Sequence, residues 1–503
     1  MQATPAGLSE ADWLGLPAIA RSLFLAQQAE IQQLRQENEQ LRHQLTALAT
    51  ELAGLRERLE RNSRNSSRPP SSDGPEYKPP VRRKASGRKR GGQQGHPGAG
   101  PELLPAERCD AVVDHRPDTC RRCGTLLQGD DPEPLRHQVI EIPPITAQVI
   151  EHKLHRLICP CCSTSTCAQL PAEVESSRFG PRLSALVGLL GSAFPLSLGH
   201  TQTVLDQLLG VSISSGAIAA IRSRLAACLE QPVEEALQAA RLQPVVYMDE
   251  TGAPTGNADG GNPDGRRGWL WVLMTPVLTV FTQGLSRSRA AAMELLGSAF
   301  AGTVVSDRFS AYNQLPAEQR QLCWAHLIRD LTAMAERPGA SGEIGAALLE
   351  LQQQLFEHWY RWKDGQIPWP ELQDQCRPVR RQFETTLQRA VDLGCERGER
   401  TPWAHTVWTC RQLLDLQQAL WTFLEKPGIE PTNNGAERAL RQAVIQRKIS
   451  HGVQSRAGSL CRTRLLTVCA TLRQQGRDVW SFLEQAWIAH RLGGEMPSLL
   501  SSV

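Results

Sequence analysis

Three acidic residues occupy positions from which they could together hold divalent metal ions. Asp249 ends the run Val-Val-Tyr-Met-Asp, Asp307 ends Val-Val-Ser-Asp, and Glu437 lies in the polar segment Asn-Asn-Gly-Ala-Glu-Arg. Hard divalent ions prefer oxygen ligands, and two of them can bind the attacking and leaving oxygens of a phosphodiester. The three carboxylates therefore predict a Mg²⁺ or Mn²⁺ centre for phosphoryl transfer. Taken singly, an Asp after an apolar run is more often a helix cap or a turn residue.

The hydrophobic pattern predicts the elements that must position these carboxylates. Five short apolar runs indicate strands, at 244–248, 269–274, 278–282, 303–306 and 321–324. A helical pattern over 287–300 separates the third strand from the fourth, and a short helical piece precedes the fifth. This β-β-β-α-β-α-β order is that of a ribonuclease-H-like sheet. Its first and fourth strands are parallel neighbours, so Asp249 and Asp307 would meet at one edge, and a later helix beginning near Glu437 could complete the site.

The whole pattern predicts a multidomain α+β protein, in which a ribonuclease-H-like mixed β-sheet forms the catalytic core and carries an all-helical insertion. An N-terminal coiled coil and a zinc module precede that core. We expect an N-terminal helix and leucine zipper at 1–61, a basic Pro/Gly/Ser-rich linker at 62–100 and the zinc module at 101–170. A helical domain that is a candidate for DNA binding follows at 171–240. The core begins at 241–330, is interrupted by the insertion at 331–430, and ends with the catalytic-core helix and C-terminal helices at 431–503.

Four blocks of the sequence resemble the transposases of insertion-sequence family sixty-six. They are Gly-Arg-Lys-Arg-Gly-Gly-Gln-Gln-Gly-His-Pro-Gly at 87–98, Asp-Glu-Thr at 249–251, Cys-Trp-Ala-His-Leu at 323–327 and Asn-Asn-Gly-Ala-Glu-Arg-Ala-Leu-Arg at 433–441. The resemblance implies an Asp-Asp-Glu (DDE) transposase on a ribonuclease-H-like fold, with Asp249, Asp307 and Glu437 as its triad. It also implies action on the inverted-repeat ends of a mobile element, together with small accessory proteins.

Other residues compete with the triad or accompany it. His326 fits the Cys-Trp-x-His block of the family and would be a further catalytic residue beside the site, although a lone His after a buried strand is more often a core residue. Glu250 and Asp330 are the nearest alternative metal ligands. We rank both lower, because Glu250 should face away from Asp249 within a strand and Asp330 lies beyond the fifth strand.

Two Cys-x-x-Cys pairs predict a structural zinc site. Cys120 with Cys123 and Cys159 with Cys162 can supply four thiolates in a tetrahedron, which leaves no position open for a catalytic water. Cys161 and Cys167 offer substitutes for the fourth ligand, and buried free cysteines are the alternative interpretation. Short β-prone runs at 138–142 and 147–154 lie between the pairs.

The N-terminal region carries a seven-residue repeat of apolar residues. One row contains Ile31, Asn38, Leu45, Leu52 and Leu59, and the other contains Leu34, Leu41, Leu48 and Leu55. Such a repeat predicts a coiled coil, and one Asn at a core position favours two parallel strands in a single register. We therefore expect a homodimer or higher oligomer. The alternative is a long amphipathic helix packed on its own protein.

Several basic residues are candidates for contact with transposon-end and target DNA. The linker carries positive charges with no acid between them, a pattern suited to phosphate binding: Lys78, Arg82, Arg83, Lys84, Arg88, Lys89 and Arg90. Arg438 and Arg441 follow Glu437 and could contact the phosphate backbone. A helix–turn–helix pattern at 201–225 could read DNA, although packing alone more often explains such a hairpin. The basic residues of the linker, and Arg438 and Arg441, could also be surface charges that contact only water.

Without a signal-peptide pattern or an apolar stretch long enough to span a bilayer, the sequence predicts a cytoplasmic protein, and the family resemblance implies a bacterial, nucleoid-associated one. The 55 Lys and Arg residues exceed the 52 Asp and Glu residues by three, and no signal-peptide pattern opens the sequence. Without such a signal, the 14 cysteines favour reduced thiols and metal binding over disulfides. Besides a transposase with catalytic Mg²⁺ or Mn²⁺ and structural Zn²⁺, two alternatives remain open. These are a catalytically silent zinc-dependent DNA-binding protein and a hydrolytic DNA nuclease.

Overall fold

The computed structural model describes residues 10–60, 103–450 and 452–500. The chain divides into two compact units, Met1–Pro79 with Ala325–Leu416, which we call the helical unit, and Pro80–Trp324 with Gln417–Val503, which we call the sheet unit. Within the described residues, no helix is both long enough and apolar enough to cross a membrane.

The described residues form strands and helices in the following order. The strands are β1 (Arg156–Ile158), β2 (Ser165–Cys167), β3 (Val245–Gly252), β4 (Trp269–Met274), β5 (Thr279–Gly284), β6 (Thr303–Ser306) and β7 (Arg320–Leu322). The helices are α1 (Glu10–Gly15), α2 (Ala18–Glu60), α3 (Pro181–Ser192), α4 (Leu198–Leu209), α5 (Ser215–Cys228), α6 (Glu230–Arg241), α7 (Arg289–Leu296), α8 (Trp324–Ala335), α9 (Ala340–Lys363), α10 (Trp369–Leu393), α11 (Pro402–Asp415), α12 (Gln417–Glu425), α13 (Asn434–Ser450), α14 (Arg456–Gln474) and α15 (Val479–Leu492).

The central sheet has the strand order β5-β4-β3-β6-β7. β5, β4 and β3 are antiparallel, whereas β3, β6 and β7 are parallel. The strands occur in the predicted order along the chain, and short 3₁₀ turns at Ser310–Tyr312 and Ala317–Gln319 provide the piece before β7. β7 ends at Leu322, earlier than predicted, because the Trp324 amide donates to the carbonyl of Pro431 at 2.9 Å and begins a helix.

Each face of the sheet packs against different helices, because successive strand side chains point to opposite sides. On one face, Val246, Met248 and Leu273 join a large apolar core with residues of α3, α5 and α15. On the other face, Leu270, Val272 and Phe281 pack against residues of α13, among them Ala436 and Leu440. Because of this alternation, only every second side chain of β3 lies on the face of the sheet that packs against α13.

The region predicted as helix–turn–helix forms α4 and α5. Gly210 caps α4 with a φ of 63°, and the Ser214 side chain caps α5 by accepting from the Ala217 amide at 3.2 Å. Leu205 and Ile218 of these helices are buried in the large core. Packing therefore accounts for the apolar pattern, and DNA reading by this hairpin stays a prediction.

The helical unit contains α9, α10 and α11 of the predicted insertion. Leu348, Phe383 and Val407 are fully or almost fully buried there. The predicted interruption near 365–370 is present, because α9 ends at Lys363, Gly365 has a φ of 73°, and α10 begins at Trp369. α12 lies in the sheet unit, where the Phe423 amide donates to Oε1 of Gln321 in β7 at 2.7 Å.

The heptad region forms the single long helix α2. Its described row leucines and Ile31 are 48–67 % exposed, as follows: Ile31, Leu34, Leu41, Leu45, Leu48 and Leu52. The apolar seam is thus left uncovered by the described parts of the chain. This disagrees with a helix packed on its own protein, while pairing with a second copy remains a prediction.

Residues 103–170 have almost no buried side chain. Every residue is exposed except Cys109, Cys120, Gln138 and Cys159, which are half-buried. The β-prone runs at 138–142 and 147–154 are not strands in the structure, and the strands are β1 and β2 instead. Val139 and Val149 are 78 % and 90 % exposed, so these runs have neither a pairing strand nor a core that would fix them.

Candidate active site

The sheet topology brings Asp249 and Asp307 to the same edge. Tyr247 of β3 pairs with Val305 of β6 in a parallel register, and continuing that register by two residues sets Asp249 opposite Asp307. Neighbouring strands lie about 4.8 Å apart. Oδ1 of Asp307 accepts a hydrogen bond from the Phe309 amide at 2.9 Å, which fixes the turn after β6.

The electrostatics of Asp249 show that the acidic residues lie close together. Burial raises its pKa well above the ordinary value, and the charges of Glu250, Asp307 and Glu437 raise it further. Like charges have this effect only when they are near and poorly screened by water. The structure therefore brings Asp249 and Asp307 to one edge, and Glu437, although distant in sequence, lies near enough to raise the pKa of Asp249. Within the described residues, the oxygen atoms of the three carboxylates do not all lie within 4.8 Å of one another.

Glu437 reaches the site because the start of α13 is bonded to β3. The residue before the helix, Asn433, is fully buried, and its Nδ2 donates to the carbonyl of Met248 at 2.7 Å. Its own amide donates to Sγ of Cys323 at 3.0 Å. Asn433 thus joins the helix that carries Glu437 to the residue just before Asp249.

Further contacts hold α13 along its length. Gln442 and Gln446 donate to the carbonyls of Ala193 and Gly191, beyond and at the end of α3, both at 3.0 Å. Arg447 donates to the carbonyl of Gly252 at the end of β3. The helix is therefore fixed at both ends by hydrogen bonds within the protein.

Glu250 occupies the opposite face of β3, as predicted. Its Oε1 accepts from Nε and Nη2 of Arg287 at 2.8 and 2.6 Å, and its Oε2 accepts from the Tyr312 hydroxyl at 3.0 Å. Burial raises the pKa of Glu250, the charge of Asp307 raises it further, and Arg287 and Tyr312 oppose that shift. Because its oxygens are already occupied, Glu250 is a poorer metal ligand than Asp249.

His326 and Asp330 lie in α8, within the helical unit. The assignment of His326 as a catalytic residue remains a prediction. Asn433, which sequence reasoning did not single out, is the residue with the clearer structural role. Its signal was its place as the first Asn of the Asn-Asn-Gly motif, where it could act as a buried amide.

The two Cys-x-x-Cys pairs form two similar knuckles. The amides of Cys120 and Cys159 donate to the carbonyls of Thr125 and Thr164, each at 2.9 Å. Hydrogen bonds with Thr125 and Cys120 lower the pKa of Cys123 to about 7. Thr164 and Cys159 lower the pKa of Cys162 in the same way.

Each knuckle supplies half of a tetrahedral thiolate site. Within the described residues, three of these sulfur atoms do not lie within 4.8 Å of one another. Four sulfur donors, two of them with lowered thiol pKa values, fit zinc. In the structure the two Cys-x-x-Cys pairs are two separate turns and do not form one four-sulfur cluster.

Two of the predicted DNA-binding residues are visible on the surface of α13. Arg438 and Arg441 are exposed on the side away from the sheet, and Lys448 continues the same row. The six linker residues predicted to bind DNA lie outside the described residues: Arg82, Arg83, Lys84, Arg88, Lys89 and Arg90.

The parts of the chain that carry these sites match known protein families. Residues 176–460, more than half of the chain, match the family described as "Transposase IS66 family". Residues 117–163, which include both knuckles, match the "zinc-finger binding domain of transposase IS66", and this supports a structural role for zinc. Residues 24–102 match a family of unknown function, DUF6444.

Two similar proteins come from Sinorhizobium fredii (strain NBRC 101917 / NGR234). The uncharacterized protein y4qI is 25 % identical over 423 residues, which cover 78 % of this chain and 75 % of the relative. The uncharacterized protein y4jD is 23 % identical over 407 residues, covering 76 % of each chain. The extent of the family match, which contains all three clustered carboxylates, shows that this chain belongs to the IS66 family of transposases.

Proposed function

We propose that the protein is a DDE transposase with a ribonuclease-H-like core, which cleaves DNA at the ends of an insertion sequence and joins them to target DNA. The observation that carries this proposal is that Asp249 lies opposite Asp307 at one edge of the sheet. Burial raises the pKa of Asp249, and the charges of Glu250, Asp307 and Glu437 raise it further. The strand order β5-β4-β3-β6-β7 supports the fold assignment.

The residues at this edge fit divalent metal ions. Clustered, partly buried carboxylates repel one another, and a cation of high charge relieves that repulsion. Their oxygens are the ligands that Mg²⁺ and Mn²⁺ prefer. We infer that Asp249, Asp307 and Glu437 hold these ions, which when bound activate the nucleophile and stabilise the leaving oxygen.

The chemistry consists of two phosphoryl transfers. In the first, a water oxygen forms a bond to the phosphorus, the bond from phosphorus to the 3′-oxygen breaks, and the end leaves as a 3′-hydroxyl. In the second, that 3′-oxygen attacks a target phosphodiester and displaces the target's own 3′-oxygen. The fixed position of α13 orients Glu437 before DNA arrives, so that little reorganisation is needed during the reaction.

The remaining regions would assemble the complex. We infer that α2 pairs two copies through its exposed leucine seam and that a zinc ion joins Cys120, Cys123, Cys159 and Cys162. We further infer that the basic linker binds DNA with Arg438 and Arg441. The reaction would take place on the bacterial nucleoid, with accessory proteins of the element as further partners. We also infer that His326 is a further catalytic residue.

The proposal is tested with the full-length protein, a labelled duplex that carries the element's own end, a supercoiled target and Mg²⁺ or Mn²⁺. Asp249→Asn should abolish cleavage and joining but leave DNA binding intact. The matched control is Asp264→Asn, because Asp264 is an exposed carboxylate that pairs on the surface with Arg266 at 3.1 Å. The control should cleave and join at the wild-type rate.

The products separate the alternatives. If the wild-type protein cleaves DNA but never joins it, and Asp249→Asn does not cleave, the protein is a hydrolytic nuclease. Binding without cleavage by the wild-type protein, even after cell extract has supplied accessory proteins, would identify a catalytically silent DNA-binding protein. Joined products that depend on Asp249 would establish the transposase.

A further inference from the structure

A cavity of about 310 Å³ lies beside α13, lined by residues of α13, α14, β4 and β5. Its apolar wall contains Met274, Phe281 and Leu466, and two exposed arginines, Arg438 and Arg473, also line it. No acidic residue is part of the lining. The cavity therefore combines an apolar interior with positive charge and has no negative charge to neutralise it.

The polar side chains of the wall are already used within the protein. Gln474 donates to the carbonyl of Thr275 at 2.7 Å and accepts from the Thr279 hydroxyl at 2.8 Å. Gln442 donates to the carbonyls of Ser192 and Ala193. The two guanidinium groups are thus the charged groups of the lining that remain for a ligand.

An exposed aromatic ring stands next to this cavity. The Arg473 guanidinium lies 5.5 Å from the ring centroid of Phe194, which is 54 % exposed. A half-exposed ring beside a guanidinium is a surface on which a nucleobase can stack. The matching ligand has a flat, apolar heterocycle and flanking negative charge, and an unstacked nucleotide has both.

The position of the cavity relates it to the carboxylate cluster. Gly435, Ala439 and Gln442 line the cavity, and at 100° per residue they lie on the flank of α13 opposite to Glu437, with Arg438 between the two flanks. An α-helix with its side chains is about 10 Å wide, which equals about three base steps along one DNA strand. A strand held at the carboxylates can therefore cross α13 and reach the cavity.

We propose that this cavity receives one unstacked nucleobase of the DNA strand bound at the carboxylates, with Phe194 as a stacking surface and Arg438 and Arg473 on the flanking phosphates. This proposal rests on the proposed function, because it takes DNA as the substrate. A volume of a few hundred Å³ is typical of small-ligand pockets, and extrusion of one base into a closely fitting pocket is a known mode of DNA recognition.

Photocrosslinking tests the proposal directly. The full-length Asp249→Asn protein, which cannot cleave, is irradiated with element-end duplexes in which 5-iododeoxyuridine replaces single thymines near the cleavage position, and crosslinked peptides are identified by mass spectrometry. We expect crosslinks at one position to peptides that contain Phe194, Met274 or Phe281. Crosslinks only to other peptides of a DNA-bound protein would overturn the proposal.

Affinity measurements provide the second test. Arg473→Ala should weaken binding to a duplex with one unpaired nucleotide at that position by about tenfold, because it removes one charged hydrogen bond to a flanking phosphate. Arg389→Ala removes the same charge from an exposed position on α10, outside every element predicted to bind DNA, and should leave this affinity unchanged. Equal binding by wild type and Arg473→Ala would overturn the cavity proposal.

A cavity-filling variant gives an independent check of the same site. Ala470→Trp should remove the preference for the unpaired probe over the fully paired duplex, and a thermal unfolding curve shows whether the variant is folded. If Ala470→Trp unfolds, Arg473→Ala, which alters an exposed residue, still decides the question. Crosslinks in the cavity without strand joining would refute the proposed transposase activity but leave the nucleotide site standing. Strand joining without such crosslinks would refute the nucleotide site but leave the transposase activity standing.

Discussion

The carboxylate edge and the cysteine knuckles are both candidate metal sites, but they are built differently. Around Asp249, apolar burial and the hydrogen bonds of Asn433 and Arg447 hold the elements that carry the ligands. Between 103 and 170, almost every side chain is exposed, and only local turns order the thiols. Where packing supplies the free energy, the site is preformed. Where packing does not, binding of the metal must itself drive the assembly of the module.

The largest effect should come from removing zinc. Structural zinc contributes about 10–16 kcal/mol in small modules, so a strong chelator, or Cys120→Ser, should remove hydrogen-exchange protection from peptides of 103–170. Peptides of β3, β4 and β6 should keep theirs, since the apolar core holds them. The measurement is hydrogen–deuterium exchange with mass spectrometry. Module peptides that stay protected without zinc would show that this region does not depend on the metal.

The next effect concerns Asn433, which positions Glu437. Asn433→Ala leaves the buried carbonyl of Met248 without its donor and should lower the free energy of unfolding by about 1–3 kcal/mol. A shift of about 1 Å in Glu437 should reduce cleavage by about 10²-fold and raise the Mg²⁺ concentration needed for half-maximal rate.

Gln314→Ala is the control for Asn433, because Gln314 makes an exposed amide-to-carbonyl bond with Arg289 at 3.2 Å. It should leave both the rate and the Mg²⁺ requirement unchanged. An Asn433→Ala protein that loses stability but keeps the wild-type Mg²⁺ dependence would contradict a positioning role.

A smaller effect is expected on stability as a function of pH. The pKa of Asp249 is raised in the folded state, so the fold favours the protonated form. Its contribution to stability is present below the unfolded value of about 3.9 and is lost as the pH rises through the raised folded value. Without metal, Asp249→Asn should therefore raise the unfolding temperature at pH 8 by about 2–4 °C.

Calorimetry with Mn²⁺ completes that test. Mn²⁺ should stabilise the wild-type protein more at pH 8 than at pH 5, and it should stabilise Asp249→Asn less at either pH. If Asp249→Asn is less stable than wild type at pH 8 without metal, repulsion among the carboxylates does not control the stability of this edge.

The smallest effect is on thiol reactivity. With a pKa of about 7, the Cys123 thiol is about half ionised at neutral pH, whereas burial raises the pKa of Cys410 to about 12. The bonds that lower this pKa lie within the short turn 120–125, so we expect the turn to persist locally when zinc removal opens the rest of the module. In zinc-free protein, iodoacetamide should then label Cys123 with a half-maximal rate near pH 7 and leave Cys410 unmodified. Zinc should suppress the labelling of Cys123. Labelling of Cys123 that is insensitive to zinc would argue against its role as a ligand.

The sequence alone predicts the sheet well, and the reason is physical. The sequence runs that form β3 and β6 are short and apolar up to an acidic residue. Few structures other than a buried strand explain such a run. Their parallel pairing followed from the order of the elements, and with it the meeting of Asp249 and Asp307. The knuckles were predictable for a similar reason, since Cys-x-x-Cys fixes a local turn.

Other features depend on contacts between distant residues. The bond from Asn433 to Met248 joins residues 185 positions apart, and no local pattern specifies which Asn of the motif is buried. The β-prone runs at 138–142 and 147–154 gave a wrong expectation, because propensity does not form a strand without a partner strand or a core. The cavity beside Arg438 arises from several elements at once and leaves no periodic trace in the sequence.

The central claim is that three carboxylates from distant parts of the chain form one catalytic metal centre. Its most direct test is the joining of a pre-cut element end to supercoiled target DNA in Mg²⁺, comparing wild type, Asp264→Asn and Asp307→Asn. We expect Asp307→Asn to bind the end normally but to lose joining by at least about 10³-fold, equivalent to about 4 kcal/mol of transition-state stabilisation, while Asp264→Asn joins normally. Joined products formed by Asp307→Asn at the wild-type rate would contradict the claim.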